Sequence, residues 1–251
     1  MALDEAILEA VESGRSPATL RLYAWDPPCL SVGYAQAVAP VDFEELAVAG
    51  WDLVRRPTGG KAILHTDELT YSIIGRAQDP LFSGGVVPSY ERVSTGLVAA
   101  LTEFGAQPQV YSGGSENGDN PICFQVPGLQ ELTVSGMKLI GSAQLRRAGA
   151  VLQHGSLPLG GDIGLICRAL KYDSAEDRDR AAEAVRREAT TLERAIGHRI
   201  DWSAAADGIS AGFAGALGLE LHRAEPSLEE HSRAKQLQAT RYDSVEWNER
   251  R

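Results

Sequence analysis

Cysteine is scarce in this chain: Cys29, Cys123 and Cys167 are the only three in 251 residues. They are odd in number, widely spaced and form no C-x-x-C. That excludes a disulfide framework and a clustered structural zinc site, and fits a reducing compartment. No run of about 18 apolar residues occurs, so no membrane-spanning helix is expected. Positive charge is missing where a secretory leader needs it, because the opening Met1-Ala2-Leu3-Asp4-Glu5 is acidic; a cytoplasmic location is the expectation. Basic residues are also in deficit overall, 24 against 34 acids for a net charge of −10, which argues against nonspecific nucleic-acid binding. No internal repeat is present. No helical H-x-x-x-H pair or acidic cluster accompanies His65 and His154, so no metal site is expected.

What is present is the composition of a globular protein, 43% hydrophobic and 23% charged, in a chain long enough to bury a substantial core. The acidity is uneven. Residues 1–53 hold two arginines against nine acids, whereas residues 54–156 hold eight of each sign. The candidate chemistry lies in that neutral middle third, where an anionic substrate or acidic partner is repelled least.

Leu3, Ile7, Leu8 and Val11 predict a first helix that ends near Ser13-Gly14, its acidic face solvated. Leu20–Trp25 and Leu30–Tyr34 read as strands around the Pro27-Pro28 break. Asp42 to Glu45 resembles a capping box for a short helix closing at Gly50. Asp52–Arg56 and Leu69–Ile74 read as strands flanking a Gly59-Gly60 loop. Tyr90, Val93, Leu97, Leu101 and Phe104 predict a helix stopping at Gly105. Residues 112–121 have the composition of a mobile loop. Ser135-Gly136 and Ala148-Gly149 mark two hairpin turns. From about residue 161 the pattern is helical, with a capping box from Ser227 to Glu230. The expected class is α+β: a mixed β-sheet flanked by helices, then a helical segment over 161–251, all within one domain.

The chemistry-bearing residues cluster in two blocks. Cys123 opens one of them, and a thiol with a nearby cation is the minimum kit for a thiolate nucleophile; most free cysteines, by contrast, are small core residues. Lys138 lies between Met137, Leu139 and Ile140, which suggests a buried strand. A lysine there is costly unless it meets an anion or acts on one. Gly59 and Gly60 read either as a tight turn or as a place where backbone N–H groups approach a ligand. Arg55 and Arg56 alternate across a strand, so one is expected to face the site and the other solvent, with Arg56 the favoured candidate. His65 and His154 each read as a hydrogen-bonded structural histidine or, alternatively, a general base paired with the cysteine; His154 fits a pocket wall better. Cys29 and Cys167 read as core packing. Arg146 and Arg147 flank a turn, with a solvated edge as the default and docking of an acidic carrier as the alternative.

Arg55–Ile74, RRPTGGKAILHTDELTYSII, resembles the signature loop and strand of the lipoate/biotin protein ligase superfamily. Cys123–Leu159, CFQVPGLQELTVSGMKLIGSAQLRRAGAVLQHGSLPL, resembles its second signature block. The opening MALDEAIL and closing YDSVEWN resemble its ends, so the likeness covers nearly the whole chain. Within the superfamily, Cys-Phe ahead of the lysine hairpin is most similar to LipM-type octanoyltransferases, and Gln130-Glu131 stands where ATP-dependent ligases have Asn-Asp. Lys61 departs from the usual Arg or Gly, and Leu129-Gln130 replaces an aromatic.

The resemblance implies transfer of an octanoyl group from octanoyl-acyl carrier protein to a lysine of a lipoyl domain or glycine-cleavage H protein. The working unit is expected to be a monomer without a cofactor. Cys123 and Lys138 are then catalytic. Arg56, Thr58, Gly59, Gly60, His65, Gly141, Ser142, Ala143, His154 and Gly155 are expected to bind the substrate. Three alternatives stay open: an ATP- and Mg-dependent lipoate or octanoate ligase acting through an acyl-adenylate, a lipoyl amidotransferase, and a non-catalytic acyl-binding protein.

Overall fold

Alternation along one strand organises the core: Leu69, Tyr71 and Ile73 pack into one buried cluster, and Ile74 packs into another. A strand covered on both faces requires a layer of structure on each side. The computed structural model describes residues 1–111, 122 and 131–250. Its strands are β1 (Thr19–Tyr23), β2 (Cys29–Val32), β3 (Asp52–Arg55), β4 (Ile63–His65), β5 (Glu68–Arg76), β6 (Pro108–Val110), β7 (Leu132–Val134), β8 (Met137–Arg147) and β9 (Ala150–Pro158). Its α-helices are α1 (Ala2–Glu12), α2 (Phe43–Ala49), α3 (Val86–Glu103), α4 (Ala175–Glu188), α5 (Leu192–Ile196), α6 (Trp202–Leu217), α7 (Leu228–Leu237) and α8 (Val245–Asn248).

A six-stranded sheet runs in the order β1-β5-β9-β8-β7-β6 and is antiparallel between every pair of neighbours. A three-stranded sheet, β3-β2-β4, carries the mixture of directions, with β2 parallel to β3 and antiparallel to β4. The α+β class and the helical segment beyond residue 161 are as expected. Helices α3 and α6 supply Val93, Leu97, Leu101, Ile209 and Phe213 to one face of the large sheet, while α1 covers part of the other. The small sheet packs on α2, α4 and the 3-10 turn Ile163–Ala169 through Leu30, Val32, Leu46, Ile166 and Val185.

Local signals account for the ends of the elements. Asp42 caps α2 by accepting from Glu45 N, and Gly50 closes it in the left-handed region. Both halves of the Ser227–Glu230 capping box are present. The hairpin turns have positive φ at both central residues, Ser135-Gly136 and Ala148-Gly149, as tight two-residue turns demand. The loop expected over 112–121 lies outside the described residues. Cys29 and Cys167 are buried core residues, as expected.

The solvated acidic face expected on α1 is not what the structure holds: Asp4 and Glu5 are each 1% exposed. Asp4 accepts from Arg21 at 2.7 Å and from Tyr23 Oη at 2.8 Å. Glu5 accepts from Arg147 at 2.8 Å, Arg241 at 2.6 Å and Tyr242 Oη at 2.6 Å. The partners come from 17 to 237 residues away, so no local pattern announces them. Arg147 is thereby an internal tie rather than a solvated edge. Arg146 is another, donating to Phe82 O and Gly85 O at 2.7 Å ahead of α3.

Burial alone would raise the Glu5 pKa, but its bonds to Tyr242, Arg147 and Arg241 outweigh that and leave it lowered. The unfolded chain therefore takes up the proton first on acidification. The contribution is whole above the ordinary glutamate range and is lost as the pH falls through the lower folded value. Glu5→Gln is expected to cost about 2–4 kcal/mol at pH 7 in denaturant unfolding. It should also flatten the loss of stability between pH 5 and 3 relative to the parent chain; parallel pH profiles would contradict this.

Candidate functional site

β3 runs into two consecutive guanidiniums, and both are buried, Arg55 at 0% and Arg56 at 4% exposure. Alternation does send them to opposite sides, but the expectation that one meets solvent fails because each side is covered. Arg55 donates to Gly33 O at 2.7 Å, Gln36 O at 2.6 Å and Asn248 O at 2.9 Å, and so holds the end of β2 and α8. Arg56 donates to Ser31 O at 2.8 Å, Ser31 Oγ at 2.7 Å and Lys61 O at 2.9 Å, which folds the 56–61 loop back over β2. A Cβ on Gly33 would stand 1.8 Å from Gly60 O, so only glycine permits this approach. Gly60 itself has φ +96°.

Between that loop, β4 and the β5–β9 face lies a cleft. Eight of the expected residues line it: Arg56, Gly60, His65, Gly141, Ser142, Ala143, His154 and Gly155. Thr58 reaches it indirectly, sharing a 2.7 Å hydrogen bond between its Oγ1 and His154 Nε2. Gly59 contributes its carbonyl to Arg56 at 3.2 Å. Lys138 is not a lining residue among those described. It is 1% exposed and pairs with Glu131 Oε2 at 2.6 Å, so the anion demanded by its burial is a neighbour across the β7–β8 hairpin. Cys123 lies outside the described residues. Ile122, which precedes it, is buried and bridges to Ala62, beside the Gly59–Lys61 turn.

Sequence reasoning missed Met1, Trp25, Ile63, Thr70 and Ser156 in the walls, Ser31 and Glu68 behind them, and Glu131 as the partner of Lys138. Glu68 carried a usable signal, a lone acid opening the apolar run of β5. The others look like ordinary strand residues until the two sheets are brought together.

Both histidines are neutral parts of the wall. Burial pushes His154 down to about 3, with the Asp4 charge opposing only in part. His65 is also lowered, by desolvation first, against the pull of Glu68. Its ring stacks on Trp25 with centroids 4.4 Å apart. Ser31 Oγ accepts from Arg56, which can only donate, so the serine proton is free to go to His65 Nε2 at 2.7 Å. The Nδ1 edge of the neutral ring faces Glu68 Oε2 at 3.5 Å, beyond good hydrogen-bond distance.

One rung of the large sheet explains Gly155. Tyr71, Gly155 and Ser142 are in register on neighbouring strands, and the Tyr71 Oη–Ser142 Oγ bond of 2.7 Å crosses over the glycine. A Cβ there would meet Gly141 O and Tyr71 Cε1 at 2.6 Å and Ser142 Oγ at 2.7 Å.

Two sheets that hold a largely apolar cleft beneath a glycine loop define a class of α+β proteins built around a small-ligand-sized pocket. The pattern of the lipoyl protein ligase A/B catalytic domain matches residues 1–214, and the chain belongs to that family. It is 40% identical over 259 residues to a curated octanoyltransferase LipM of Symbiobacterium thermophilum, covering 100% of this chain and 93% of that protein. It is 38% identical over 248 residues to an octanoyltransferase LipM of Carboxydothermus hydrogenoformans, covering 98% and 92%. Among solved structures, a bipartite lipoate protein ligase from Thermoplasma acidophilum superposes with a TM-score of 0.82, covering 99% of this chain and 89% of that one. Its 23% identity extends the likeness to the fold.

Two measurements check this geometry. The His154 ring resonances are expected to show no titration between pH 5 and 8, whereas a midpoint near the ordinary histidine value would contradict its burial. Gly155→Ala is expected to cost about 1–3 kcal/mol in thermal or denaturant unfolding, because of the three nearest atoms only the Ser142 hydroxyl can swing away from a Cβ. An unchanged midpoint would show that the rung is looser than described.

Proposed function

We propose that the chain transfers an octanoyl group from octanoyl-acyl carrier protein to a specific lysine of a lipoyl domain or glycine-cleavage H protein, through a thioester on Cys123. The observation that carries this reading is full-length identity of up to 40% to curated octanoyltransferases, spanning both sequence blocks that build the cleft. The geometry supports it. The chain reaches Cys123 from Ile122, which is anchored at Ala62 beside the glycine loop. Lys138 sits three residues before Gly141, on the strand that walls the cleft.

In this mechanism the Cys123 thiolate attacks the carrier thioester, and the carrier leaves as its thiol after taking up a proton. The acceptor amine then attacks the acyl-enzyme, forming the amide and returning the cysteine thiol. Lys138 stabilises the thiolate and the developing oxyanion, with Glu131 fixing its ammonium in place. Backbone groups near Gly59, Gly60 and Gly141 complete the oxyanion cradle, while Arg56, Thr58, His65, Ser142, Ala143, His154 and Gly155 shape the acyl pocket. No ATP, metal or other cofactor takes part, and the chain works as one catalytic unit, a cytoplasmic monomer. No described helix is long and apolar enough to cross a membrane.

The second reading is an ATP-dependent ligase, favoured by the fold shared with a lipoate protein ligase. Incubation with octanoyl-carrier protein and no ATP separates the two. Intact mass is expected to show one octanoyl group on the chain, absent in Cys123→Ser, with acceptor modification falling about a thousandfold or more in that variant. Strict dependence on ATP, or an active Cys123→Ser, would sink the transferase reading.

A further inference from the structure

A second cleft opens directly beyond the first, and Ser156 lines both. The β5–β9 register gives the reason. Ser72 stands opposite His154, Thr70 opposite Ser156, and Glu68 opposite Pro158, and alternate residues of a strand share one face. His154, Thr70 and Ser156 wall the first cleft; Glu68 and Pro158, one rung further along the same face, wall the second. The two clefts are neighbours along one strand pair, with Ser156 in the wall of each. Gly141 pairs with Ser156 at the junction, so the join lies beside the strand that carries Lys138.

The two clefts differ in electrostatics. The first is walled by the Arg56 guanidinium, neutral histidines, Met1, Trp25 and small residues. The second has a carboxylate at its inner end and acids at its rim. Glu68 is 4% exposed. It accepts from Thr70 Oγ1 at 2.8 and 2.9 Å and from Ser156 Oγ at 2.5 Å. Its other neighbour is the neutral His65 ring, whose buried Nδ1 has no hydrogen-bond partner. Among the described residues no lysine or arginine pairs with Glu68, whereas Asp67 and Asp162 at the rim are held by Arg199 at 3.2 Å and Arg186 at 2.6 Å. A buried carboxylate without a cation is costly, and a ligand that brings one relieves the cost.

We propose that this second cleft receives the acceptor lysine, with Glu68 as the counter-charge of its ammonium. The assignment rests on the acyl-transfer reading above and adds the acceptor's path to it. The ammonium gives one proton to the Glu68 carboxylate, and the freed amine attacks the acyl carbonyl. The C–N bond forms as the C–S bond to Cys123 breaks. The second N–H proton goes to the departing sulfur, and the proton on Glu68 leaves through the second cleft to water.

The test separates the two nucleophiles the acyl-enzyme can meet. Full-length protein is loaded with octanoyl-carrier protein, then chased either with a lipoyl domain or with hydroxylamine, a small amine that is neutral at pH 7. Glu68→Gln keeps the size and the hydroxyl bonds and removes the charge. Transfer to the lysine is expected to fall roughly tenfold to a hundredfold more than release by hydroxylamine, the scale of one charged hydrogen bond. Equal losses in both chases, or an unchanged lysine chase, would overturn the assignment. Should Glu68→Gln fail to fold, Thr66→Phe at the half-buried rim decides instead: obstruction of the second cleft must show the same selective loss, and its absence overturns the assignment. A parent chain that acquires no acyl group at all refutes the acyl-transfer reading. A parent that loads and delivers normally, beside a variant that does the same, refutes the acceptor path alone.

Discussion

Two adjacent guanidiniums at the end of β3 hold the rest of the site in place. A buried arginine must spend its N–H donors on fixed acceptors, and here most of those are main-chain carbonyls. Arg55 collects carbonyls from the end of β2 and from α8, so the C-terminal segment is fastened to the small sheet. Arg56 collects carbonyls from β2 and from its own loop, and thereby gives the Gly59–Lys61 turn its shape. The cleft exists because these two residues fold chain onto chain on opposite sides of one strand.

The polar interior is graded along the β5–β9 strand pair. At one end His154 and His65 are kept neutral by burial, so the charge in that wall is the Arg56 guanidinium. Further along, the Thr70–Glu68–Ser156 cluster brings a full negative charge inside. The Lys138–Glu131 pair belongs to the adjoining hairpin. Low local dielectric gives each of these charges a long reach, so their separation along one strand pair defines distinct environments within a few rungs.

Most elements were legible because their signals are local. The hairpin turns, the Gly50 stop and the Ser227–Glu230 box depend on residues within a few positions of one another, and all appear where expected. Eight candidate site residues meet in one cleft because they fall in two compact sequence blocks. The failures share a cause. Asp4, Glu5, Arg146 and Arg147 look like surface charges, and Arg55 looks like the outward member of a pair. Each is buried or tied down by groups from remote parts of the chain.

By itself the sequence determined the class of fold, the family, the hairpin carrying Lys138 and the blocks that supply the cleft, since periodicity, turn chemistry and motif are properties of neighbours in the chain. Tertiary structure alone decided which charges are interior, that Lys138 is matched by Glu131, that Ser31 and Trp25 frame His65, and that Glu68 faces a cleft. Those facts depend on which strands become neighbours in space, and a hydrogen bond between residues 88 apart, as from Ser156 to Glu68, leaves no trace in local pattern.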